Sequence, residues 1–438
     1  MDMTANKTLK TAAMIAACIN SASLHAQAEG DALPKAETLQ AAEPAGFGVP
    51  WTERESLFLQ PLVEKALPDS GFTPTLSWTG EQWSNVSGGM ERGTMWNSLF
   101  TMGFEQDFSR LLKVENAGRF GVSAFYNANS HKGGRYFDSL YSAPSNIFSG
   151  DMIRVFEIFY ANSFDTEIGT FSFRVGQLAA DEDFMGMDYA DLFLNSNFGA
   201  IPAVAGALLH NGNIAFSQYA NATLGAVVSY ENGGFDVTLG VYNGSAGDDV
   251  SSNNGFDYDL EGAAFWYQLG YNYEIAGLAG RVQFGGNYHS GRFENFATGG
   301  TGRNFYSFFL GIQQDVLNNG DGDPVLGLYA RFACAPEDEI SENTVYMEGG
   351  LNWFAPIPGR DDDVFGIGVS SMYMGGDARE ASGGELTRYQ TVVETTYRVQ
   401  FTPAISLQPS FQVYFNPYDN DGGRTACFVA GARLEVLF

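Results

Sequence analysis

The sequence predicts an all-β fold, a transmembrane antiparallel β-barrel of about 16 strands. Three observations support this prediction: sixteen strand-like segments follow residue 71, short and long connections alternate between them, and most segments have one apolar and one polar face. Bacterial outer-membrane barrels have an even number of strands, short turns at one end and long loops at the other. Since no stretch approaches the roughly 18 apolar residues of a membrane-spanning helix, a closed barrel is the spanning structure that the sequence favours.

The composition fits such a barrel and argues against other classes. The chain has 438 residues, including 36 Phe, 21 Tyr and 53 Gly, and its formal net charge is −28. This acidity disfavours nucleic-acid binding, because the chain repels phosphates. Cys18 lies in the N-terminal segment described next. For Cys334 and Cys427, packing or idle thiols are favoured over a bridge, since two cysteines are no disulfide framework for so long a chain.

The N-terminus predicts a secretory signal peptide over residues 1–28. Lys7 and Lys10 precede an apolar run, and Ala26-Gln27-Ala28 forms a small-x-small cleavage site. Cleavage is expected after Ala28, with Ala26 as the second choice. The mature chain is therefore expected to be exported.

Residues 29–71 are predicted to form an N-terminal linker and a short helix ahead of the barrel domain, which spans residues 72–438. The linker is rich in Ala, Pro and Glu. Thr52 and Glu55 have the spacing of a capping box before an apolar run, which indicates a helix start.

The barrel domain divides into sixteen predicted strands joined by alternating connections. The strands span about residues 72–84, 98–108, 118–129, 153–164, 169–178, 223–231, 234–242, 262–273, 279–289, 304–314, 324–333, 344–354, 363–374, 389–401, 404–415 and 426–438. Because the last strand descends to the periplasmic end, the long connections all fall on the outer rim. Segments 153–164 and 304–314 alternate poorly, so a bulge or a register error is expected in each.

The two faces of the strands indicate where lipid and water lie. In segment 404–415, Leu407, Phe411 and Phe415 share one side, opposite Gln408 and Gln412. A soluble sandwich would also alternate, but the signal peptide and the sorted loops favour the inverted arrangement. We expect the apolar face to meet lipid and the polar face to line a lumen.

The chain ends in the strand GARLEVLF, whose last residue is the apolar Phe438. A lipid-facing terminal strand is expected to close the barrel against the first strand and to leave no edge. The terminal aromatic also resembles the C-terminal signal that outer-membrane assembly machinery reads, so this machinery is an expected partner.

Residues 179–222 form the longest connection without a strand pattern. A loop of this length is usually functional or disordered, and its aromatic content argues against disorder. Its acidic residues are Asp181, Glu182, Asp183, Asp188 and Asp191.

Three stretches resemble the carbohydrate-selective porins of the OprB type. They are FSFRVGQLAADEDF followed by FLNSNFG, SNVSGG at residues 84–89, and LQPSFQVYFNP with the terminal GARLEVLF. The resemblance covers most of residues 72–438. It implies a sixteen-stranded outer-membrane channel that passes sugars, with a third outer loop, here residues 179–222, that folds inward and constricts the lumen.

Sugar passage requires hydrogen-bonding groups for paired hydroxyls and aromatic faces for the sugar ring. The candidates of inward parity are Arg174, Arg281, Arg331, Glu348, Glu394, Arg398, Gln408, Gln412, Arg433 and Glu435, with Trp266 and Tyr414 as stacking surfaces. For each of them a solvated or ion-paired wall residue is the alternative. Arg398 and Arg433 beside Glu394 and Glu435 are expected to form a mutually neutralising cluster.

Other functions are less well supported by the sequence. The His residues of the mature chain, His131, His210 and His289, stand beside no G-x-S-x-G motif, which argues against an enzyme. No metal and no cofactor is expected, since the Asp- and Gly-rich turns lack the final Glu of a calcium loop. A general, weakly cation-preferring porin and a structural barrel with a blocked lumen remain as alternatives. Expected partners are outer-membrane lipid and small sugars, and the oligomeric state is left open between monomer and homotrimer.

Overall fold

The structure, a computed structural model, describes residues 50–89, 91–137, 142–147, 150–199, 216–245, 254–256, 260, 262–320, 322–417 and 426–438. The predicted signal peptide, residues 29–49 of the linker and the middle of the 179–222 loop lie outside the described residues. In the part of the chain that is described, no helix is long and apolar enough to cross a membrane.

Sixteen strands form one closed antiparallel barrel in which each strand pairs with its neighbours in sequence. The strands are β1 (Phe72–Ser87), β2 (Gly93–Asp107), β3 (Arg119–Asn129), β4 (Met152–Thr166), β5 (Gly169–Leu178), β6 (Thr223–Asn232), β7 (Phe235–Asn243), β8 (Ala263–Ile275), β9 (Leu278–Asn295), β10 (Gly300–Asn318), β11 (Pro324–Cys334), β12 (Asn343–Phe354), β13 (Val364–Met374), β14 (Tyr389–Thr402), β15 (Ile405–Phe415) and β16 (Ala426–Leu437). The predicted fold class is confirmed.

The barrel closes between its first and last strands, as the terminal aromatic residue predicts. Strand β16 pairs with β1 from Ser77↔Leu437 upwards, and the backbone N–H of Phe438 donates to the Leu76 carbonyl at 2.9 Å. This pairing satisfies the backbone groups of both end strands and removes the free edge.

Several element bounds differ from the predicted ones. Strand β2 begins five residues earlier than predicted, and β9 and β10 extend well above the predicted ends, to Asn295 and from Gly300. The outer connections 88–92 and 296–299 are short, so loop length sorts the two rims for most connections but not for all of them.

Short helices decorate the connections: α1 (Leu59–Ala66), α2 (Phe108–Leu112), α3 (Gly133–Tyr136) and α4 (Gly376–Ala381), with 3-10 turns at Trp51–Glu53 and Ala180–Glu182. The predicted capping box is wrong, because α1 begins after Phe58 without a side-chain cap. The segment before α1 instead runs along the periplasmic rim. There the N–H of Leu57 donates to the Leu437 carbonyl at 3.0 Å, and the rings of Phe58 and Phe438 lie 5.8 Å apart.

The two faces of the wall have the predicted orientation. Outward positions carry exposed apolar side chains, including Leu239, Leu269, Phe284, Leu310 and Phe411. Inward positions of the upper half are polar and buried, among them Glu394, Gln412 and Arg433, because loops cover them. An apolar outer face and a polar inner face are the arrangement expected for a membrane barrel, whose outer face contacts lipid.

The two segments that alternate poorly both contain a register shift. In β4 an extra residue lies between Ile158 and Val155, which pair with Val122 and Ala124, so the predicted bulge is present. Strand β10 also has the predicted irregularity, a register shift against β9 between Arg303 and Phe305, and it keeps its register from Phe305 to Gln314. Its inward side is apolar there because Phe305 and Phe309 belong to a buried cluster inside the barrel.

Candidate functional site

The loop of residues 179–222, termed here the constriction loop, leaves β5 and turns into the barrel. Its two ends are held side by side: the Ala180 N–H donates to the Ser217 carbonyl at 2.8 Å. The Asp181 carboxylate accepts the backbone N–H of Tyr219 at 3.0 Å. The loop therefore starts and ends at one fixed point of the wall.

Wall side chains hold the first arm of the constriction loop on the far side of the lumen. Gln268 of β8 accepts the Met185 N–H at 2.8 Å. Arg331 of β11 donates to the carbonyls of Met185, at 2.7 Å, and Gly199. The Arg331 guanidinium also lies 3.2 Å from the Glu348 carboxylate of β12, and both side chains are fully buried. Arg331 thus fixes two points of the loop while Glu348 compensates its charge.

The second contact region lies on the wall formed by β14 and β15. The Glu394 carboxylate accepts the backbone N–H groups of Leu194 at 3.0 Å and Asn195 at 2.9 Å. Gln408 donates to the Leu192 carbonyl at 2.6 Å, and the Asn195 amide donates to Gln412 at 3.0 Å. Each of these backbone groups has a hydrogen-bond partner on the wall. This stretch of the loop is therefore held in one position against the wall.

Glycines on the inward face let the loop approach the wall closely. A Cβ atom at Gly327 would lie 2.4 Å from the Tyr189 ring, and one at Gly368 would lie 2.9 Å from the Phe193 ring. Larger residues at these positions would push the loop off the wall.

A second loop, the outer connection between β3 and β4, also folds inward, and the sequence does not predict this. Ser145 donates to the Glu81 carboxylate, and Asn146 accepts from Arg433. The Ser196 N–H of the constriction loop donates to the Ala143 carbonyl at 3.2 Å. The constriction is therefore built from two loops that contact one another. The polar string SAPSN was the one available signal, and it has no special pattern.

Apolar side chains fill the space between the constriction loop and the barrel wall. Phe184 and Phe216 pack on Trp266 with ring centroids 5.6 and 5.3 Å away. Phe193 packs on Phe198 at 4.8 Å and on Tyr329 at 5.9 Å. These contacts place much of the buried apolar surface of the protein inside the barrel, between loop and wall.

The predicted pore-lining side chains all lie on the inward face, but in two groups. The group buried beneath the loops comprises Arg331, Glu348, Glu394, Gln408, Gln412, Arg433, Trp266 and Tyr414. The group partly open to the lumen comprises Arg174, Arg281, Arg398 and Glu435. Trp266 and Tyr414 leave 2% and 0% of their surface exposed, so neither ring offers an open face for stacking.

The expected cluster of two Arg and two Glu residues is present only in part, because Glu435 interacts with both Arg433 and Arg398 while Glu394 forms no ion pair with either arginine among the described residues. Arg433 pairs with Glu81 of β1 at 2.6 Å and lies 3.8 Å from Glu435. Glu394 binds the loop backbone instead of an arginine. Glu81 was not predicted because its partner is almost the whole chain length away. Within the described residues, the Arg398 guanidinium has no hydrogen bond and no ion pair.

The remaining inward arginines are paired in the lower half of the lumen. Arg174 bridges Glu157 at 2.9 Å and Asp183 of the constriction loop at 2.8 Å. Arg281 lies 2.6 Å from Asp236. Arg174 therefore ties the loop to β4 and β5, and Arg281 belongs to the wall near the periplasmic turns.

A cavity of about 660 Å³ opens below the constriction loop towards the periplasmic rim. Its ionisable lining residues are Glu105, Asp107, Glu157, Asp165, Glu182, Asp183, Glu231, Arg119 and Arg174. Acidic groups thus outnumber basic groups along this vestibule. A cleft lined by charges of one sign concentrates counter-ions, so this part of the lumen favours cations over anions.

The other predicted loop acids lie further along the constriction loop. Asp188 accepts from the Gln313 amide at 2.7 Å, and the neighbouring Tyr189 donates to Asp315. Asp191 is half-buried. Burial raises the pKa of Asp191 to about 7, and Asp188 acts in the same direction, while Arg331 opposes both.

Two loop carboxyls change their charge near neutral pH. Burial raises the pKa of Asp181 to about 7 as well. Each acid is protonated below its raised pKa and ionised above it. Because the folded state holds these protons more tightly than the unfolded state does, the free energy of unfolding falls as the pH rises from about 4 to 7. Between pH 5 and pH 8 the lumen gains negative charge.

We therefore predict that cation preference rises severalfold between pH 5 and pH 8. Reversal potentials in a KCl gradient measure it, and Asp191→Asn should reduce the rise. Asp323→Asn, in an exposed periplasmic turn, is the control that removes an equal charge outside the lumen. An identical pH response in wild type and Asp191→Asn would contradict the assignment.

The chain is similar to known proteins in both sequence and structure. A family model described as carbohydrate-selective porin, OprB family, matches residues 97–438. No curated protein matches the sequence significantly. The high-pH structure of Pseudomonas putida OprB superimposes with a TM-score of 0.77 at 17% identity, covering 88% of this chain and 99% of that chain. Its low-pH structure gives a TM-score of 0.57 at 16% identity with the same coverage. At such identities the structural likeness establishes the barrel fold alone.

Proposed function

Because the chain belongs to the OprB family of carbohydrate-selective porins, we propose that it forms a water-filled channel through which sugars diffuse passively across the outer membrane into the periplasm. The family match over residues 97–438 carries this proposal, because it includes most of β2, all fourteen strands from β3 to β16 and the constriction loop. Family and fold point to a channel rather than an enzyme.

The charge arrangement of the lumen supports an uncharged, hydrogen-bonding solute. Arg331 is compensated by Glu348, Arg433 by Glu81, and Arg174 by Glu157. Because these arginines are paired with carboxylates, the wall has many hydrogen-bond donors and acceptors but attracts an anion only weakly. Neutral polyols match such a lining better than sugar phosphates or uronates do.

Arg398 and Glu435 are the strongest candidates for direct sugar contact. They project into the lower lumen from β14 and β16, two strands apart, and both are half-buried. A guanidinium presents a planar set of donors that fits vicinal hydroxyls, and the carboxylate supplies acceptors. The Arg398 guanidinium interacts electrostatically with Glu435 and Asp363 but makes no hydrogen bond within the described residues, so its donors are available to a solute.

This role predicts a sugar-dependent block of ion current that weakens without Arg398. Loss of a charge-assisted hydrogen bond costs about 1.5–3 kcal/mol, so Arg398→Ala should raise the half-blocking glucose concentration by roughly tenfold to 150-fold. Arg398→Lys keeps the charge without the fork and should recover only part of the affinity. Lys65→Ala, on the periplasmic helix α1, is the charge-matched control. An unchanged half-blocking concentration in Arg398→Ala would remove Arg398 from the site.

A general, cation-preferring diffusion porin is the second candidate, and the acidic vestibule favours it. The two functions differ in how current responds to sugar. A sugar-selective channel shows saturable block, whereas a general porin loses current only in proportion to the conductivity of the solution.

We further propose the route by which the chain reaches the membrane. Residues 1–28 direct export and are cleaved after Ala28. The assembly machinery then reads the terminal strand that ends at Phe438. In support, Phe438 lies at the periplasmic end of β16, on the same outward side as Phe428 and Leu434.

A further inference from the structure

The N-terminal segment of residues 51–67 lies along the periplasmic rim with large apolar side chains exposed. The segment passes β14 with its Trp51–Glu53 turn and then packs beside β1 with α1. Its large apolar side chains that are about half exposed are Trp51, Phe58, Leu62 and Leu67. Four such side chains on one short segment are unfavourable in water and indicate a surface that something apolar covers.

Helix α1 has an apolar edge and a polar edge. At 3.6 residues per turn, Phe58, Leu62 and Ala66 follow one another along one edge, and all three are exposed. Gln60 and Glu64 lie on the opposite edge, where the Gln60 amide donates to the Glu64 carboxylate at 3.2 Å. An apolar edge opposite a polar edge is typical of a helix that lies in the plane of a membrane interface.

The apolar edge of α1 begins at the lipid-facing surface of the barrel. The Phe58 ring lies 5.8 Å from the ring of Phe438, the last outward residue of the terminal strand. From Phe428 to Phe438 a strand tilted by about 40° rises about 25 Å, which is the height of the apolar belt of such barrels. Phe438 therefore marks the lower edge of the belt, and α1 begins at the depth of the lipid headgroups.

Hydrogen bonds hold the far end of this segment on the rim as well. The Asp107 N–H donates to the Gly71 carbonyl at 2.8 Å, and the Gln106 amide donates to the Ser70 carbonyl at 2.8 Å. Gly71 has a φ of +70°, and a Cβ atom there would lie 2.6 Å from the Asp107 carbonyl oxygen. Because both ends are fixed, the apolar edge of α1 stays beside the lipid-facing surface.

We propose that residues 51–67 form an interfacial anchor, with Phe58 and Leu62 inserted at the boundary between headgroups and acyl chains of the periplasmic phospholipid leaflet. The segment contains three acidic and two basic residues, so its charge gives no attraction to anionic lipid. Burial of apolar surface drives the binding, and zwitterionic phospholipid is the partner that fits. The inference rests on the outer-membrane location and is independent of the solute that passes through the channel.

Site-directed fluorescence of the reconstituted protein tests the anchor. In a background with Cys334→Ser and Cys427→Ser, Leu62→Cys carries a polarity-sensitive dye in phosphatidylcholine vesicles. We expect blue-shifted emission that a phospholipid with a nitroxide near its headgroup quenches severalfold more strongly than the same dye at Glu64→Cys, on the opposite edge of α1. Equal quenching at the two positions would overturn the proposal. Blue-shifted emission at Leu62→Cys without quenching would also overturn it, because protein rather than lipid would then cover this edge.

A second variant tests the insertion without a label. Leu62→Ala removes apolar surface but does not weaken the intrinsic preference for helix, so a faster amide hydrogen exchange of α1 would report the lost contact with lipid. We expect α1 to exchange severalfold faster in vesicles, with conductance as in the wild type. Glu64→Ala is the control on the opposite edge and should leave the exchange rates near the wild-type values. Equal exchange of α1 in Leu62→Ala and the wild type would contradict insertion of this edge.

Discussion

Replacing Arg331 by Met is expected to destabilise the barrel by about 3–5 kcal/mol, the usual result of removing one partner of a buried ion pair. The Glu348 carboxylate would remain fully buried 3.2 Å from an uncharged side chain. The carbonyls of Met185 and Gly199 would lose their donors at the same time. The variant should therefore unfold at lower denaturant concentration and should open the constriction.

Two further variants separate these effects. The double variant Arg331→Met with Glu348→Gln has no unpaired buried carboxylate. Its free energy of unfolding should therefore be close to that of the wild type, while the constriction loop still lacks its hydrogen bonds to Arg331. Arg281→Met is the matched control, because its ion pair with Asp236 is partly exposed and such pairs contribute about 0–1 kcal/mol. Denaturant unfolding of the refolded proteins measures the difference. Equal losses for Arg331→Met and Arg281→Met would contradict the anchoring role.

Glu394→Gln is expected to release the part of the constriction loop around Leu194 and Asn195. The carboxylate now accepts both backbone N–H groups and the hydroxyl of Ser410. An amide of the same shape has one acceptor oxygen, so at least one donor loses its partner. Hydrogen bonds to a charged group contribute about 1.5–3 kcal/mol.

The expected readouts are a larger and noisier single-channel conductance and faster amide exchange of the loop. Glu385→Gln carries the same charge change on an exposed outer connection and should leave both readouts as in the wild type. If Glu394→Gln conducted quietly at the wild-type level, the loop would be held by other contacts, and Glu394 would be a wall residue only.

The barrel could be predicted because its signals are local. Period-two alternation shows in Leu407, Phe411 and Gln412 without knowledge of any partner, and the terminal Phe438 marks the closing strand. The pairing of consecutive strands then follows from tight turns at the periplasmic rim. Inward orientation of the candidate residues followed from the same alternation.

The contacts inside the lumen could not be predicted in this way. Glu81 meets Arg433 only because the barrel closes, and the Asn195 N–H meets Glu394 across about half the chain. Trp266 has the parity of a pore-facing aromatic, yet Phe184 and Phe216 cover it. The alternation along a strand predicts whether a side chain points into or out of the barrel. It does not predict whether a loop covers that side chain.

The selectivity of transport through the reconstituted protein tests whether the chain is a sugar-selective channel. Swelling rates of proteoliposomes would be compared in arabinose and in triethylene glycol, neutral solutes of similar mass that differ in their array of hydroxyl groups. A sugar-selective channel should pass arabinose several times faster, and Arg398→Ala should narrow that difference. Equal rates for the two solutes would contradict sugar selectivity and identify a general diffusion porin.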